Sequence, residues 1–205
     1  MWGPGIWPVT LESGDIVLRP IKQSDGAEWM ELRARNAEWL APWEASNPQP
    51  GGGLPTFRQM VRSLNQQARE GTALPFVITL ADSRAHRAPI VGQLTVSSIV
   101  WGSALMATLG YWVDREHAGH GIAPTAVAMA TDHCFFTLGL HRMEINIRPE
   151  NKASLRVVEK LGFRYEGLRP RYLHIAGEWA DHESFALTAE EVPEGLTARW
   201  IASRA

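Results

Sequence analysis

The sequence predicts one mixed α/β domain over residues 1–205, and three observations carry that expectation. Segments of strand and helix period succeed one another in the order β-α-α-α-β-β-β-α-β-α-β-β, without the strict alternation of a doubly wound sheet. Apolar residues make up 45% of the 205 and charged residues 20%, enough to fill a substantial core. No internal repeat divides the chain, and its one stretch dense in proline and glycine is too short to separate domains.

Local pattern predicts each element in turn. Asp15-Ile16-Val17-Leu18-Arg19-Pro20 alternates as a first strand. Ser24 offers an N-cap for a helix with Trp29, Leu32 and Arg33 at helical spacing, and a second short helix holds Glu38-Trp39-Leu40. Residues 47–55, with three prolines and three glycines, read as a mobile loop. Thr56 then caps a helix whose apolar stripe is Phe57, Met60, Val61, Leu64 and Ala68.

Strands follow at 76–80, 90–100 and 105–113, with Trp101-Gly102-Ser103 joining the last two as a hairpin. A helix over 121–138 presents Ala123, Val127, Ala130, Cys134 and Leu138 inward. In the strand at 142–148, Met143, Ile145 and Ile147 face one side and Glu144, Asn146 and Arg148 the other. Asn151 caps a helix with Leu155, Val158 and Leu161 that stops at Gly162. Strands at 165–175 and 182–187, turning at Ala176-Gly177-Glu178, complete the pattern.

Charge and composition narrow the classes of partner. A formal net charge of -2 gives no basic footprint for nucleic acid and no polybasic surface for a membrane. Cys134 is the only cysteine, so no intrachain disulfide forms, which suits a reducing cytoplasm. Met1 to Pro8 carries no basic n-region or long apolar run, and no signal peptide is expected. The most apolar long segment, 123–140, is broken by Thr131, Asp132 and His133 and is not expected to span a membrane. Seven histidines invite a metal, but His117 and His120 lie three apart in a loop with no paired cysteine and no H-E-x-x-H; no metal is expected.

Three segments carry the chemistry. In Tyr111-Trp112-Val113-Asp114-Arg115-Glu116-His117-Ala118-Gly119-His120-Gly121-Ile122-Ala123, a strand enters a glycine loop that becomes a helix. Free N–H groups at such a start make an anion site, which the helix macrodipole reinforces. Gly119 and Gly121 let a phosphate approach without a Cβ in the way. Pro124 excludes a dinucleotide fingerprint, and no Gly-Lys-Ser/Thr of a P-loop occurs. Alone, this segment reads equally well as a left-handed turn with no ligand.

The second segment runs Arg148-Pro149-Glu150-Asn151-Lys152-Ala153-Ser154-Leu155-Arg156-Val157-Val158-Glu159-Lys160-Leu161-Gly162-Phe163. Asn151 and Ser154 stand at N-cap and N3, where both residue types start a helix without any ligand. The segment nevertheless resembles the GNAT superfamily pattern N-x-x-S-x-x-(V/L)-x-E-K-x-G-F at every signature position. Paired with the glycine loop, it makes the chain similar to the GNAT N-acetyltransferases. The third segment, Tyr165 to Leu168 with Tyr172 to Thr188, together with Leu40-Ala41-Pro42-Trp43-Glu44, resembles the RimJ/RimL branch, RimJ in particular. The likeness covers about 15–192, with terminal extensions outside that core.

The resemblance implies both an architecture and a site. The central sheet would be mixed and mostly antiparallel, flanked by helices and splayed between its fourth and fifth strands, 105–113 and 142–148. Backbone groups of Tyr111, Trp112 and Val113 would pair with the pantetheine of acetyl-coenzyme A. Loop amides of His117, Ala118, Gly119, His120, Gly121, Ile122 and Ala123 would take the pyrophosphate, with Asn151 and Ser154 also on the coenzyme side. Ser154 would protonate the leaving thiolate, and Tyr111 is a second catalytic candidate. Trp43, Glu44, Glu144 and His174 would border the acceptor.

Two departures from the family stand out. Glu116 and Ala118 occupy positions where the family usually carries Gln or Arg and a basic residue, so His117, His120 or Arg115 is expected to compensate. The branch's catalytic glutamate aligns with Leu173, which leaves the base open among Glu44, Tyr111, Glu144, His174 or a water wire. A bland alternative exists for Asp181-His182 as well: either the two orient one another, or they are a surface turn-strand junction.

The expected activity is acetyl-CoA-dependent N-acetylation of a protein N-terminal α-amine, such as that of a ribosomal protein, in the cytoplasm. The alternatives are a small-amine acetyltransferase (antibiotic, polyamine or amino acid) and a weakly catalytic coenzyme A-binding regulator. Neither nucleic acid nor membrane is an expected partner, and a monomer or homodimer is the expected assembly.

Overall fold

A computed structural model describes residues 7–49, 55–81 and 88–204. Its frame is an eight-stranded sheet in the order β1-β2-β3-β4-β5-β6-β8-β7. The strands are β1 (Leu11–Ser13), β2 (Ile16–Pro20), β3 (Leu74–Leu80), β4 (Ile90–Val100), β5 (Met106–Val113), β6 (Arg142–Ile147), β7 (Arg164–Ile175) and β8 (Glu178–Thr188). Every pair is antiparallel except β5 with β6. The expected first strand is therefore second: β1 precedes it and folds back on it, pairing Leu11 with Leu18.

The helices are α1 (Gly26–Arg35), α2 (Ala37–Leu40), α3 (Phe57–Glu70), α4 (Ile122–Asp132), α5 (Lys152–Leu161) and α6 (Leu196–Ala202). Two apolar clusters use the two faces of the sheet, as the alternation of strand side chains requires. Leu74, Phe76 and Ile78 of β3 join α4, α5 and α6 in the larger cluster. Val77 turns the other way to meet Leu32 of α1 and Val61 of α3.

Several local expectations shift for physical reasons. The first helix begins after Asp25, not at Ser24. The buried Asp25 carboxylate accepts from Lys22 N at 2.8 Å and from Arg19, and this draws residues 23–25 into a 3-10 turn. At Thr56 the expected cap is present, with Gln59 completing a capping box. Part of the expected 47–55 loop lies outside the described residues.

The long helix over 121–138 is α-helical only through Asp132 and then widens into a π turn over His133–Thr137. It has no single inner stripe, since Ile122 and all of 124–131 are buried. The cause is α6, which the sequence pattern did not reveal and which covers the side of α4 away from the sheet. Leu196 is fully buried and Trp200 Nε1 donates to Thr125 Oγ1 at 2.8 Å, so the core extends past the expected limit at 192. Asp132 anchors this element by accepting from Leu196 N at 2.6 Å and Thr197 N at 2.9 Å.

Candidate active site

β5 and β6 pair only at Met106↔Arg142, Ala107↔Met143 and Thr108↔Glu144. Beyond those pairs β5 stays with β4 as far as Gly92↔Val113, while β6 stays with β8 as far as Ile147↔Glu183. The two parallel strands therefore part, leaving a notch with Thr108 and Glu144 at its closed end.

Strand alternation decides which main-chain groups face that notch. Asp114 N donates to Val91 O at 2.8 Å, so Gly110 and Trp112, in step with it, turn their N–H and C=O toward β4. Leu109, Tyr111 and Val113 turn theirs toward β6: Leu109 N–H closes the short β5–β6 ladder at the Thr108↔Glu144 pair, and past it no strand meets Tyr111 or Val113. The expectation for Trp112 changes accordingly: its backbone belongs to β4. Its ring lies 6.5 Å from that of Trp29, with the Arg33 Cζ 5.2 Å away.

Tyr111 Oη is buried and makes no hydrogen bond of ordinary geometry. Burial pushes its pKa up to about 12, and the nearby Ser154 hydroxyl opposes that rise in part. The two are close neighbours rather than a bonded pair, because the geometry of a hydrogen bond is not met. Asn151 caps α5 as expected, its Oδ1 accepting from Ser154 N at 3.1 Å, and this places the Ser154 side chain at the mouth of the helix.

At the open end of the notch, β5 runs into the glycine loop. Asp114 is 1% exposed and organises the turn. Its carboxylate takes Asn36 Nδ2 at 2.7 Å, Arg35 at 2.9 Å and His117 Nδ1 at 2.9 Å. Together these donors outweigh the burial and hold its pKa below the usual carboxylate value. His117 is thus tied to Asp114, and Arg115 lies with its Cζ 5.9 Å from the Trp39 ring centroid. Of the three residues expected to compensate for Glu116 and Ala118, these two are engaged within the protein, and the exposed His120 is the one left to the loop.

The loop backbone behaves as expected. Gly119 has φ +86° and Gly121, the N-cap of α4, has φ +81°. An L side chain is strained at such angles. Among the described residues, the amides of Gly119, His120, Gly121, Ile122 and Ala123 have no main-chain acceptor. The hydrogen bonds of the turn come instead from His117 N to Asp114 O and from Ala118 N to Arg115 O.

On the opposite side, residues 39–46 bridge the mouth between the parted strands. Trp39 Nε1 donates to Val113 O at 3.3 Å, and Arg148, just past β6, donates to Pro42 O at 3.1 Å. Ser46 N donates to His174 O at 2.9 Å, and Ala176 N to Glu44 O at 2.9 Å. Trp43, Glu44 and His174 are therefore brought to one rim. Glu44 is ion-paired with Arg33. His174 Nδ1 is 2.9 Å from Ser46 Oγ, and its ring packs on Trp179. Glu144 stands apart at the closed end, 6% exposed, with Arg142 Nε at 2.8 Å and Arg169 Nη2 at 3.3 Å.

The face of β6 that carries Glu144 continues through Asn146 to Ser184 and His182 of β8, a grouping the sequence pattern did not reveal. Ser184 Oγ donates to Asn146 Oδ1 at 2.6 Å, and two residues along β8 stands His182, 3% exposed. Its Nδ1 lies 3.0 Å from Ala180 O and must carry the proton, since a carbonyl only accepts; Nε2 is then the unprotonated nitrogen. Burial holds its pKa below the ordinary 6.5. Asp181 points the other way and accepts from Arg171 N at 2.7 Å, so the two do not orient one another. The period-two alternation of β8 was the available signal; it was obscured because the strand was expected to begin only at His182.

No helix among the described residues is long and apolar enough to cross a membrane. Among the same residues no group of three or more His, Cys, Asp or Glu side chains is placed to hold a metal ion. Cys134 is fully buried, which drives its thiol pKa far upward.

A mixed sheet parted between two parallel strands, with a glycine loop of free amides at the open end, is the frame of a GNAT acetyltransferase. A model of the Acetyltransferase (GNAT) domain matches residues 15–164, and the chain belongs to this family. It is similar to Mycobacterium smegmatis RimJ in complex with CoA-disulfide, at 37% identity and a TM-score of 0.88 over 97% of this chain and 96% of that one. The Vibrio fischeri ribosomal-protein-S5-alanine acetyltransferase is 31% identical over 88% of this chain and 96% of its own, with a TM-score of 0.76. The [Ribosomal protein uS5]-alanine N-acetyltransferase of Escherichia coli (strain K12) is 29% identical, covering 91% of this chain and 94% of its own. These relatives support placement in the RimJ/RimL branch.

Proposed function

We propose that this enzyme transfers an acetyl group from acetyl-coenzyme A to the N-terminal α-amine of a protein, in the cytoplasm, with a ribosomal protein as the leading acceptor. The coenzyme side rests on fit. The main-chain groups of Tyr111, with Leu109 C=O and Val113 N–H on either side, have no strand partner and can meet the amides of a pantetheine arm. Free amides at 119–123 suit its diphosphate, and the buried Tyr111 hydroxyl, with only the adjacent Ser154 beside it, is open to a partner that enters the notch. CoA is bound by the M. smegmatis relative, and S5 alanine acetylation is the activity named for the V. fischeri one.

The thioester supplies an electrophilic acyl carbon and a sulfur leaving group. Tyr111 and Ser154 hold hydroxyl protons beside the notch, and Tyr111 keeps its own because its pKa is raised to about 12. These two are the donors to the departing sulfur. On the acceptor face, His182 presents an unprotonated Nε2 and takes the amine proton through water. An α-amine loses that proton easily, with a free pKa of about 8 against about 10.4 for lysine.

One observation carries the choice of acceptor. The two carboxylates of the candidate acceptor side, Glu44 and Glu144, are already matched by Arg33 and by Arg142 and Arg169. A polyamine site needs unmatched acidic charge, whereas a peptide terminus carries one amine and a string of backbone groups. Purified enzyme with acetyl-CoA should acetylate peptides of ribosomal N-terminal sequence far faster than polyamines, aminoglycosides or free amino acids. Preference for a small amine would overturn the acceptor assignment. Binding of acetyl-CoA without turnover on any amine would favour a regulator instead.

A further inference from the structure

The phosphate loop lacks side-chain cations where its family usually carries them, and Arg115 and His117 are turned to Trp39 and Asp114. A cation nevertheless reaches the loop from the far end of the chain. The Arg204 guanidinium lies over Gly121: a Cβ added there would sit 3.1 Å from Nη1, 3.3 Å from Cζ and 3.5 Å from Nη2. Its position is held from below. Arg204 Cζ is 5.3 Å from the Trp200 ring centroid, Trp200 Nε1 donates to Thr125 Oγ1 of α4, and Arg204 N donates to Ile201 O at 3.1 Å.

Among the described residues no carboxylate pairs with Arg204. It is exposed, yet stands at the N-terminus of α4, where the helix dipole is itself positive. A cation beside a positive helix end, above free amides, is unfavourably placed until an anion arrives between them. A guanidinium fork also matches phosphate oxygens two at a time.

We propose that Arg204, delivered by α6, is the side-chain cation that binds the diphosphate of coenzyme A and supplies the charge the loop itself lacks. The proposal rests on the coenzyme reading of the notch given above. It assigns α6 a second role: besides covering the core, the C-terminal helix completes the donor site. A loop sequence poor in cations is then compatible with tight coenzyme binding.

The test compares wild type, Arg204→Gln and Arg204→Lys with three donors: acetyl-CoA, 3′-dephospho-acetyl-CoA and S-acetylpantetheine. Arg204→Gln should raise KM for acetyl-CoA about tenfold, as loss of a charge-assisted hydrogen bond does. It should leave kcat within about twofold, and Arg204→Lys should recover part of the loss. The same increase is expected with the dephospho donor, and none with S-acetylpantetheine, which has no diphosphate.

Equal loss with all three donors would show a disturbed fold, and disappearance of the effect with the dephospho donor would move the contact to the 3′-phosphate; either overturns the assignment. Wild type and Arg204→Gln binding acetyl-CoA equally would overturn Arg204 alone. Wild type that fails to bind acetyl-CoA would take down the coenzyme reading with it.

Discussion

Tyr111 and Ser154 bring two hydroxyls to the inner side of the notch, and the tyrosine is kept there at a cost. A buried, unsatisfied hydroxyl is destabilising by about 1–3 kcal/mol, so Tyr111→Phe should leave the unliganded protein as stable as wild type or slightly more so. Its kcat should fall by about tenfold or more, in the range expected for loss of a proton donor. Opposite signs in melting temperature and turnover are the signature; an unchanged kcat would remove Tyr111 from the chemistry.

His182 ties both stability and turnover to pH. Its folded pKa lies below the ordinary 6.5, so an unfolded chain takes up a proton at a pH where the folded one does not. Its contribution to stability is therefore complete above 6.5 and is lost as pH falls through the folded value. Arg148 nearby adds to the depression, while Glu150, Asp181 and the bond to Ala180 O oppose it. Turnover should fall along an acid limb below the ordinary 6.5, where the imidazole takes up its proton. His182→Gln should lower kcat and flatten that limb; a rate profile identical to wild type would exclude the imidazole as proton acceptor.

At the scale of elements, α6 depends on α4 for its start and gives Arg204 its place in return. Asp132, at the end of α4, supplies both acceptors for the first free amides of α6. Asp132→Ala should cost about 1–2 kcal/mol in denaturant unfolding, as loss of a strong helix cap does. It should also raise KM for acetyl-CoA in the direction of Arg204→Gln, because the guanidinium is held through Trp200 on that helix. A destabilised variant with unaltered KM would separate the two roles of α6. The notch belongs to this scale too: β5 and β6 are each satisfied by their outer neighbours, β4 and β8, and so can diverge without breaking either ladder.

For the whole molecule, local pattern carried most of the frame. Alternation at 142–148 predicted which face Glu144, Asn146 and Arg148 share, and the cap at Asn151 with Ser154 at N3 is where the helix begins. The loop glycines, with φ of +86° and +81°, were legible because an L side chain is disfavoured there. β1 was missed because three residues are too short to show a period, and α6 because its seven residues mark no face of their own until α4 lies beneath them. The chain by itself determined the glycine loop, the Asn151–Ser154 helix start and the family they define, since each is a matter of neighbours in sequence. Only the tertiary structure decided the partners of the charges: Arg33 for Glu44, Arg169 for Glu144, Asp114 for His117, and Arg204 for the loop. Arg33, Arg169 and Arg204 lie far along the chain from their partners and meet them only once the sheet and helices have packed. Arg142 neighbours Glu144 by strand alternation alone, whereas His117, three residues from Asp114, has its place through a turn that Asn36 and Arg35 help to hold.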